Sequence, residues 1–222
     1  MTIDRFRENM RISREKMVQE QIIARGITED LIVKAFLNVP REWFVPESMR
    51  KNAYNDNPLP IGEEQTISQP YIVARMLELL DLSGKEKVLE VGTGSGYQTA
   101  ILCECAHIVY SIERIEPFVK KCREVLDDLG YFKAHLVAGD GTLGYPLRQP
   151  YDRIVVSAAA PRIPAALADQ LKEGGIIVIP VGDRFSQRLI KAVKRDGVLV
   201  SSAGDGCIFV PLIGDQGWDI SQ

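Results

Sequence analysis

The stretch KVLEVGTGSGYQTA, residues 87–100, constrains the fold more than any other part of the chain. It opens with a short, mostly apolar run that is typical of a buried parallel strand. Gly92, Gly94 and Gly96 follow at every second position, where the lack of a side chain lets the chain turn sharply and lets a ligand touch the backbone. Residues 97–105 then predict a helix, whose first N–H groups are free to bind a polar ligand. The alternative interpretation is a tight turn without a ligand.

Related glycine loops differ from this one at identifiable positions. A dinucleotide-binding loop carries glycine three residues after its second glycine, but here that position, counted from Gly94, is Tyr97, which disfavours NAD. A phosphate-binding loop carries Gly-Lys-Ser or Gly-Lys-Thr, and this loop has neither. An acidic residue in the strand, Glu90, followed by Gly-x-Gly-x-Gly resembles the first motif of S-adenosylmethionine (AdoMet) methyltransferases.

Composition and charge exclude several classes of protein. The chain has 222 residues, of which 45% are hydrophobic, so it is long enough to bury a sizeable core as one large or two small domains. Its net charge of -3 gives no electrostatic reason to expect a nucleic acid or an anionic membrane as partner. No apolar run approaches about 18 residues and the N-terminus is charged from Asp4 onward, so we expect neither a membrane span nor a signal peptide. We therefore expect a cytoplasmic protein, and a monomer.

Cysteine and histidine give no sign of a metal site. The chain has four cysteines, Cys103, Cys105, Cys122 and Cys207. Because it has no CxxC motif and no cluster of histidine with cysteine, we expect free thiols in a reducing compartment and no bound metal. The two histidines, His107 and His135, lie in no recognisable motif, and we expect both to be structural.

Residues 1–55 predict a helical extension ahead of the glycine loop. Ser13 could cap a helix that is closed by Gly26. Thr28 could cap a second helix with acidic residues in its first turn, and Pro40 would end it.

The next segment, residues 54–70 (YNDNPLPIGEEQTISQP), is polar and rich in turn-forming residues, and it predicts a long loop. A long loop inside a compact domain is usually functional. Pro70 suits the first position of a helix, which places Ser68 or Gln69 near the helix cap. Ser68 is therefore either a plain cap or a residue of the site.

Two acidic residues follow the next predicted strands. Glu113 ends the second strand (108–112) and lies 23 residues after Glu90, a usual offset for an acid that accepts ribose hydroxyls. Asp140 lies between two glycines after the third strand, where its carboxylate could accept from an exocyclic amine while the N–H of Gly141 donates to a ring nitrogen. The alternative for Glu113 is a solvated acid at the end of a strand. The alternative for Asp140 is a plain turn.

Strands and helices alternate along the rest of the chain, which ends in a hairpin. We expect a strand at 151–156, small residues at 157–161, a helix from Pro164 to Leu171, a strand at 176–180, a hairpin of 187–194 with 198–202, and a last strand at 207–212. This order predicts an α/β fold with a doubly wound, mostly parallel, Rossmann-like sheet and an antiparallel C-terminal hairpin. In such sheets a ligand binds beyond the carboxyl ends of the strands, where the chain places Glu90, Glu113, Asp140 and Ser157.

Most of the chain resembles one family of methyltransferases, protein-L-isoaspartate O-methyltransferase. The similar segments are MVQEQIIARGI (17–27), VPREWFVPE (39–47), AYNDNPLPIG (53–62), QTISQPYIVARM (65–76), EVGTGSGYQTA (90–100), AGDGTLGY (138–145), PYDRIVVSAAAP (150–161), LKEGGIIVIPVG (171–182) and FVPLIGDQGW (209–218). The QTISQP and FVPL motifs are specific to that family, whereas the glycine motif belongs to AdoMet methyltransferases at large. The resemblance implies one catalytic domain over 1–222, with a helical extension (1–55), an active-site loop (56–70) and a catalytic core (71–222).

The resemblance also implies roles for individual residues. Ser68 matches the catalytic serine of the family. The residues implied in binding AdoMet are Thr66, Ser68, Glu90, Gly92, Gly94, Gly96, Glu113, Asp140 and Gly141. The residues implied in binding the substrate are Ser68, Ala159, Ala160, Pro161, Val210, Pro211 and Leu212. Ser157 and Arg162 stand where many family members carry threonine and glutamate, which bears on the choice of substrate.

The implied reaction transfers a methyl group from AdoMet to the α-carboxylate of L-isoaspartyl residues in damaged proteins and peptides. It initiates repair to aspartate and leaves S-adenosyl-L-homocysteine. Because neither histidine lies in a motif that could activate a serine, we expect Ser68 to orient the carboxylate rather than to act as a nucleophile. The competing interpretations are an AdoMet methyltransferase that acts on another carboxylate, a small molecule or RNA, and a non-catalytic AdoMet-binding or protein-interaction module.

Overall fold

The computed structural model describes residues 3–219, and its first part is helical, as the sequence predicts. Helix α1 (Ile3–Met17) continues through a π-helical turn and a 3-10 turn as far as Arg25. Gly26, with a φ of 97°, ends this helical run at the predicted residue. The predicted start at Ser13 is wrong, because Ser13 lies inside α1.

Ion pairs within α1 explain why the helix does not begin at Ser13. Arg11 pairs with Glu8 at 2.6 Å, one turn earlier, and also with Glu15, one turn later. Side-chain pairs three or four residues apart stabilise a helix, and here they join the turns on both sides of the serine. The capping signal at Ser13 is therefore misleading.

Helix α2 (Asp30–Asn38) begins one residue later than a cap at Thr28 would place it, so that predicted cap is wrong. The capping residue is Glu29, whose carbonyl accepts from Val33 N at 2.9 Å. The helix ends before Pro40, as predicted, because proline disfavours helical geometry at the residue that precedes it.

Residues 54–70, predicted as a loop, contain a short antiparallel hairpin. Its strands are β1 (Leu59–Gly62) and β2 (Gln65–Ile67). The two residues between them, Glu63 and Glu64, both have positive φ. The strands are four and three residues long, and β1 contains proline and glycine, so the alternating pattern of a strand does not show in the sequence.

Helices and strands alternate after the hairpin. They are α3 (Pro70–Leu80), β3 (Lys87–Val91), α4 (Tyr97–Cys105), β4 (Ile108–Glu113), α5 (Glu116–Asp128), β5 (Ala134–Ala138), β6 (Tyr151–Val156), α6 (Ala165–Gln170), β7 (Leu171–Gly182), β8 (Gln187–Arg195) and β9 (Val198–Cys207). In the described part of the chain, these seven strands form one sheet in the spatial order β5-β4-β3-β6-β7-β8-β9. Neighbours from β5 to β7 are parallel, and β8 and β9 are antiparallel. The α/β class, the mostly parallel sheet and the C-terminal hairpin are therefore confirmed.

Alternate residues along each central strand point to opposite faces of the sheet, and two cores result. Val88 of β3 and Val109 of β4 belong to the core that also contains apolar residues of α1 to α5. Leu89 and Tyr110, the next residue of each strand, belong to the core that contains Leu167 of α6. The sheet is covered on both faces, as the predicted doubly wound arrangement requires.

The predicted last strand at 207–212 is wrong. Strand β9 ends at the first residue of that range, and the chain then lies beside the end of β6, where it makes single bridges. Ala159 N donates to Val210 O, and Leu212 N donates to Ala159 O, both at 2.8 Å. Pro211, between them, has no N–H group, so it cannot take part in a regular ladder.

The predicted free thiols are confirmed, because all four cysteines are unpaired. Helix α4 is buried on nearly all sides, which explains why Cys103 and Cys105 are both buried although they lie only two positions apart. Within residues 3–219, no helix is both long enough and apolar enough to cross a membrane.

Candidate active site

A cavity of about 340 Å³ lies at the carboxyl ends of the central strands, where the sequence predicts the site. Its volume is in the range of small-molecule sites, which is about 300–1,000 Å³. The predicted site residues in its wall are Thr66, Ser68, Gly92, Gly94, Glu113, Gly141, Ser157, Val210, Pro211 and Leu212. The predicted residues that lie outside its wall are Glu90, Gly96, Asp140, Ala159, Ala160 and Pro161.

The glycine loop forms the wall between β3 and α4. Gly92, Gly94 and Gly96 all have positive φ, at 93°, 52° and 86°, a conformation that other residues adopt only at a cost. Gly92 N donates to Ile112 O at 2.8 Å, which fixes the loop to the neighbouring strand β4. A side chain added at Gly96 would meet Cys122 Sγ at 3.3 Å, so this third glycine allows α4 to pack closely against α5.

Glu113 ends β4, and two main-chain donors hold its carboxylate at the cavity. Gly94 N donates to Oε2 at 2.9 Å, and Ile115 N donates to Oε1 at 2.8 Å. Each oxygen of a carboxylate can accept a further hydrogen bond, so Glu113 fits the predicted contact with ribose hydroxyls. The bond to Gly94 also fixes the middle of the glycine loop, so one side chain both shapes the wall and offers an acceptor.

Glu90 is fully buried in β3 and lies outside the cavity wall. Its Oε2 accepts from Ser111 Oγ at 2.6 Å and also from the hydroxyl of Thr99. Ser111 Oγ lies 2.6 Å from Thr93 Oγ1, so these hydroxyls connect Glu90 with the glycine loop. Burial raises the pKa of the Glu90 carboxyl to about 7, against the opposing effect of the hydrogen bonds from Ser111 and Thr99. Glu90 therefore supports the glycine loop, and its role in cofactor binding stays a prediction.

Asp140 is engaged with protein groups on both carboxylate oxygens. Oδ1 accepts from Thr142 N at 2.8 Å and from Thr142 Oγ1 at 2.7 Å, and Oδ2 accepts from Asp215 N at 2.8 Å. The carboxylate thus caps the 3-10 turn Gly141–Leu143 and fastens the C-terminal segment to that turn. Asp140 itself does not line the cavity, but the next residue, Gly141, does. The contact of Asp140 with an adenine stays a prediction.

Ser68 lies in the cavity wall where the hairpin meets α3. The capping residue of α3 is Gln69, and no side chain bonds to the helix end, so Ser68 is not a plain cap. The main-chain carbonyl of Ser68 accepts from Arg41 Nη2 at 2.7 Å. The serine is therefore held by its backbone, and its side chain is half-buried beside the cavity.

Ala159 lies beside the wall segment at 210–212, whereas Ala160 pairs with β7 and Pro161 is exposed. Ala159 is hydrogen-bonded to that segment on both sides, at 2.8 Å each, and Ala160 N donates to Pro180 O at 3.0 Å. Ala159 therefore holds residues 210–212 in place. Direct contact of Ala159, Ala160 and Pro161 with a substrate stays a prediction.

Sequence reasoning missed part of the wall. The missed residues include Thr93, Ser95, Tyr97, Gln98, Arg114 and Arg184. Gln98 Nε2 donates to Ser157 Oγ at 2.7 Å, which joins the first turn of α4 to the residue after β6. A signal for Gln98 is present in the sequence, because it lies only two residues after Gly96 of the glycine motif. Arg184 lies in the turn between β7 and β8 and gives no such signal.

The fold and the cavity together define the class of the protein as an AdoMet-dependent methyltransferase. The deciding features are a parallel sheet with a glycine loop after β3, an acid at the end of β4, and an antiparallel hairpin at the far edge of the sheet. The chain belongs to the protein-L-isoaspartate(D-aspartate) O-methyltransferase (PCMT) family, whose model matches residues 12–217.

Named relatives and solved structures support this assignment. The protein-L-isoaspartate O-methyltransferase of Trichlorobacter lovleyi is 54% identical over 215 residues, which cover 96% of this chain and 99% of that protein. That of Methanoculleus marisnigri is 51% identical over 208 residues, covering 94% of each chain. A solved protein-L-isoaspartate O-methyltransferase is 32% identical with a TM-score of 0.83, covering 92% of this chain and 67% of its own. A Plasmodium falciparum protein described as a beta-aspartate methyltransferase (PCMT), in complex with S-adenosyl-L-homocysteine, shares the fold, with 23% identity, a TM-score of 0.77, and coverage of 90% and 98%.

Replacing Glu113 with alanine should weaken AdoMet binding by about 1–3 kcal/mol, because one buried acceptor is lost. Isothermal titration calorimetry measures this affinity directly. Glu124→Ala is the matched control, because it removes the same charge from an exposed position on α5 and should leave the affinity unchanged. A Glu113→Ala protein that is folded and binds AdoMet as tightly as the wild type would contradict the assigned contact.

The raised pKa of Glu90 should make the stability of the fold depend on pH. In the unfolded chain this carboxyl ionises near its ordinary pKa of 4.5, whereas in the folded protein it keeps its proton up to about pH 7. The folded state therefore binds more protons between these two values, so the free energy of unfolding falls as the pH rises through that window.

Glu90→Gln removes the titrating group while it keeps the shape of the side chain. Urea unfolding at about pH 5 and about pH 8 should show that the wild type loses more stability than the variant between the two conditions. The difference should reach a few kcal/mol, at about 1.4 kcal/mol for each pKa unit. An equal loss in both proteins would show that the Glu90 carboxyl is not held neutral by burial.

Proposed function

We propose that this protein transfers a methyl group from AdoMet to the α-carboxylate of L-isoaspartyl residues in damaged proteins and peptides. The ester that forms can collapse to a succinimide, which reopens partly to normal aspartate and so initiates repair. The observation that carries the proposal is that the two family-specific motifs meet at one cavity. Ser68 of QTISQP and residues 210–212 of FVPL lie in the same wall as the glycine loop and Glu113.

The residues of the cavity fit AdoMet as the methyl donor. The backbone of Gly92 and Gly94 is bare at the wall, and the carboxylate of Glu113 can accept from ribose hydroxyls. Gly141, whose N–H is predicted to donate to a ring nitrogen, belongs to the same wall. When bound, AdoMet supplies a methyl group on a positively charged sulfur, and S-adenosyl-L-homocysteine is the product.

The acceptor explains why the wall needs no catalytic base. A free carboxyl has an ordinary pKa of about 4, so it is already ionised at neutral pH and no proton has to be removed. The sulfur of the donor leaves as a neutral thioether, so no acid is needed either. The protein's task is to align the carboxylate with the methyl group and to exclude water, and alignment alone can account for about 7–11 kcal/mol of the barrier.

Ser68 is proposed to orient the carboxylate by donating a hydrogen bond from its hydroxyl. A nucleophilic serine needs a neighbouring base, and neither His107 nor His135 lies in the cavity wall. The half-buried hydroxyl is instead suited to bind an oxygen that already carries negative charge.

We further propose that the protein acts as a monomer in the cytoplasm, with isoaspartyl proteins and peptides as partners and without nucleic acid or membrane. The net charge of -3 supports the absence of nucleic acid and membrane partners, because it offers no attraction to a polyanion or an anionic lipid surface.

The direct test offers the protein two peptides that differ only in one linkage, one with L-isoaspartate and one with L-aspartate. With labelled AdoMet, we expect base-labile methyl ester on the isoaspartyl peptide alone, because the acceptor carboxylate is displaced in the normal peptide. Transfer to another acceptor but not to this peptide would favour a different methyltransferase. AdoMet binding with no transfer at all would favour a binding module.

Ser68→Ala should lower kcat on the isoaspartyl peptide by about 100-fold, because a carboxylate displaced by about 1 Å from its aligned position can cost that much. AdoMet affinity should stay close to the wild-type value, because the substitution keeps the backbone of Ser68 and leaves Glu113 and the glycine loop in place. Ser201→Ala, at an exposed serine of β9, is the matched control. A covalent adduct on Ser68 detected by mass spectrometry would overturn the orienting role.

A further inference from the structure

One buried side chain closes the base of the hairpin that carries Ser68. The segment between Ala53 and Ser68 leaves the helical part of the chain, forms β1 and β2, and returns at α3. Arg41 Nε donates to Ala53 O at 2.7 Å, and Arg41 Nη2 donates to Ser68 O, also at 2.7 Å. A single guanidinium therefore bonds to the first and the last residue of the segment.

The surroundings of Arg41 connect this base with the cofactor side of the cavity. The side chain is fully buried, and its guanidinium lies 4.7 Å from the centre of the Tyr97 ring. Tyr97 directly follows Gly96, begins α4 and lines the cavity. Arg41 thus contacts both the backbone of the proposed catalytic serine and the first helical residue after the glycine loop.

The burial of Arg41 is difficult to explain by stability alone. Burial lowers the pKa of the guanidinium to about 10, so the side chain is still charged at neutral pH. Within residues 3–219, its third nitrogen, Nη1, has no hydrogen-bond partner. A buried charge with an unsatisfied donor is weak evidence for a stabilising role, so the geometry that it imposes is the better explanation.

Other hydrogen bonds and ion pairs also hold the base of the hairpin. Gln69 Nε2 donates to Asp56 Oδ1 at 2.9 Å, and Asp56 also pairs with Arg25. Gln21 Nε2 donates to Tyr54 O at 2.8 Å. The helical extension therefore fixes the base of the hairpin at several points, of which Arg41 is the only one in this group that bonds to Ser68 itself.

We propose that Arg41 is a positioning residue for methyl transfer, which sets the place of Ser68 relative to the glycine loop by bridging Ala53, Ser68 and Tyr97. Arginine suits this task because its donors lie in a rigid planar fork, whereas lysine presents one compact charge that cannot bridge two carbonyls in the same way. This inference rests on the proposed role of Ser68 as the residue that orients the acceptor.

The test compares Arg41→Lys with Arg153→Lys in the full chain. Arg153 is the matched control, because it also donates to main-chain carbonyls, those of Leu80, Asp81 and Asp152, but lies outside the cavity wall. We expect Arg41→Lys to lower kcat on the isoaspartyl peptide by about tenfold or more, since a displacement of about 1 Å can cost about 100-fold. AdoMet affinity should change by less than about threefold, and Arg153→Lys should keep kcat within about twofold.

Unchanged kcat in Arg41→Lys, or an equal loss in both lysine variants, would overturn the inference. A double-mutant cycle separates it from the proposed function. If Arg41 acts through Ser68, Arg41→Lys should cost less than about threefold in a Ser68→Ala background, whereas independent effects would multiply. If the proposed role of Ser68 is wrong, the Ser68→Ala single variant should instead keep full activity on the isoaspartyl peptide.

Hydrogen exchange on the wild type provides a test that does not depend on a folded variant. If Arg41 clasps the hairpin base, main-chain amides at 53–56 and 67–69 should exchange more slowly than those at the tip, 62–65. Equal exchange at base and tip would show that the guanidinium does not hold the segment, and would overturn the inference.

Discussion

The hydrogen bond from Gly94 N to the Glu113 carboxylate is the contact on which the rest of the site depends. It becomes possible because β3 and β4 run parallel and in register, which brings the ends of the two strands side by side. A glycine loop alone is only a turn, and an acid at a strand end alone is only a solvated charge. Joined by this bond, they form one rigid wall with a bare backbone and a fixed acceptor.

The other side of the cavity comes from segments that the sheet does not fix directly. The hairpin brings Ser68, and the segment after β9 brings residues 210–212. Hydrogen bonds to the backbone hold each segment, from Arg41 in the first case and with Ala159 in the second. A reaction that needs no acid or base depends mainly on the alignment of its reactants, and these hydrogen bonds fix the segments that provide it.

The sequence predicts those parts of the fold and the site that depend on neighbouring residues. The glycine loop, β3, α4 and Glu113 all appear where spacing and apolar pattern place them. The hairpin is missed because Glu63 and Glu64 form its turn with positive φ, so the turn lacks the glycine or asparagine that would signal a hairpin. The link from Asp140 to the C-terminal segment is also missed, because its partner Asp215 lies 75 residues away, a distance that leaves no periodic signal.

The most direct measurement is a crystal structure with S-adenosyl-L-homocysteine and an isoaspartyl peptide bound together. The account predicts ribose hydroxyls within about 3 Å of the Glu113 carboxylate, and the isoaspartyl carboxylate between the Ser68 hydroxyl and residues 210–212. A nucleoside bound elsewhere, or a peptide carboxylate that does not reach Ser68, would contradict it.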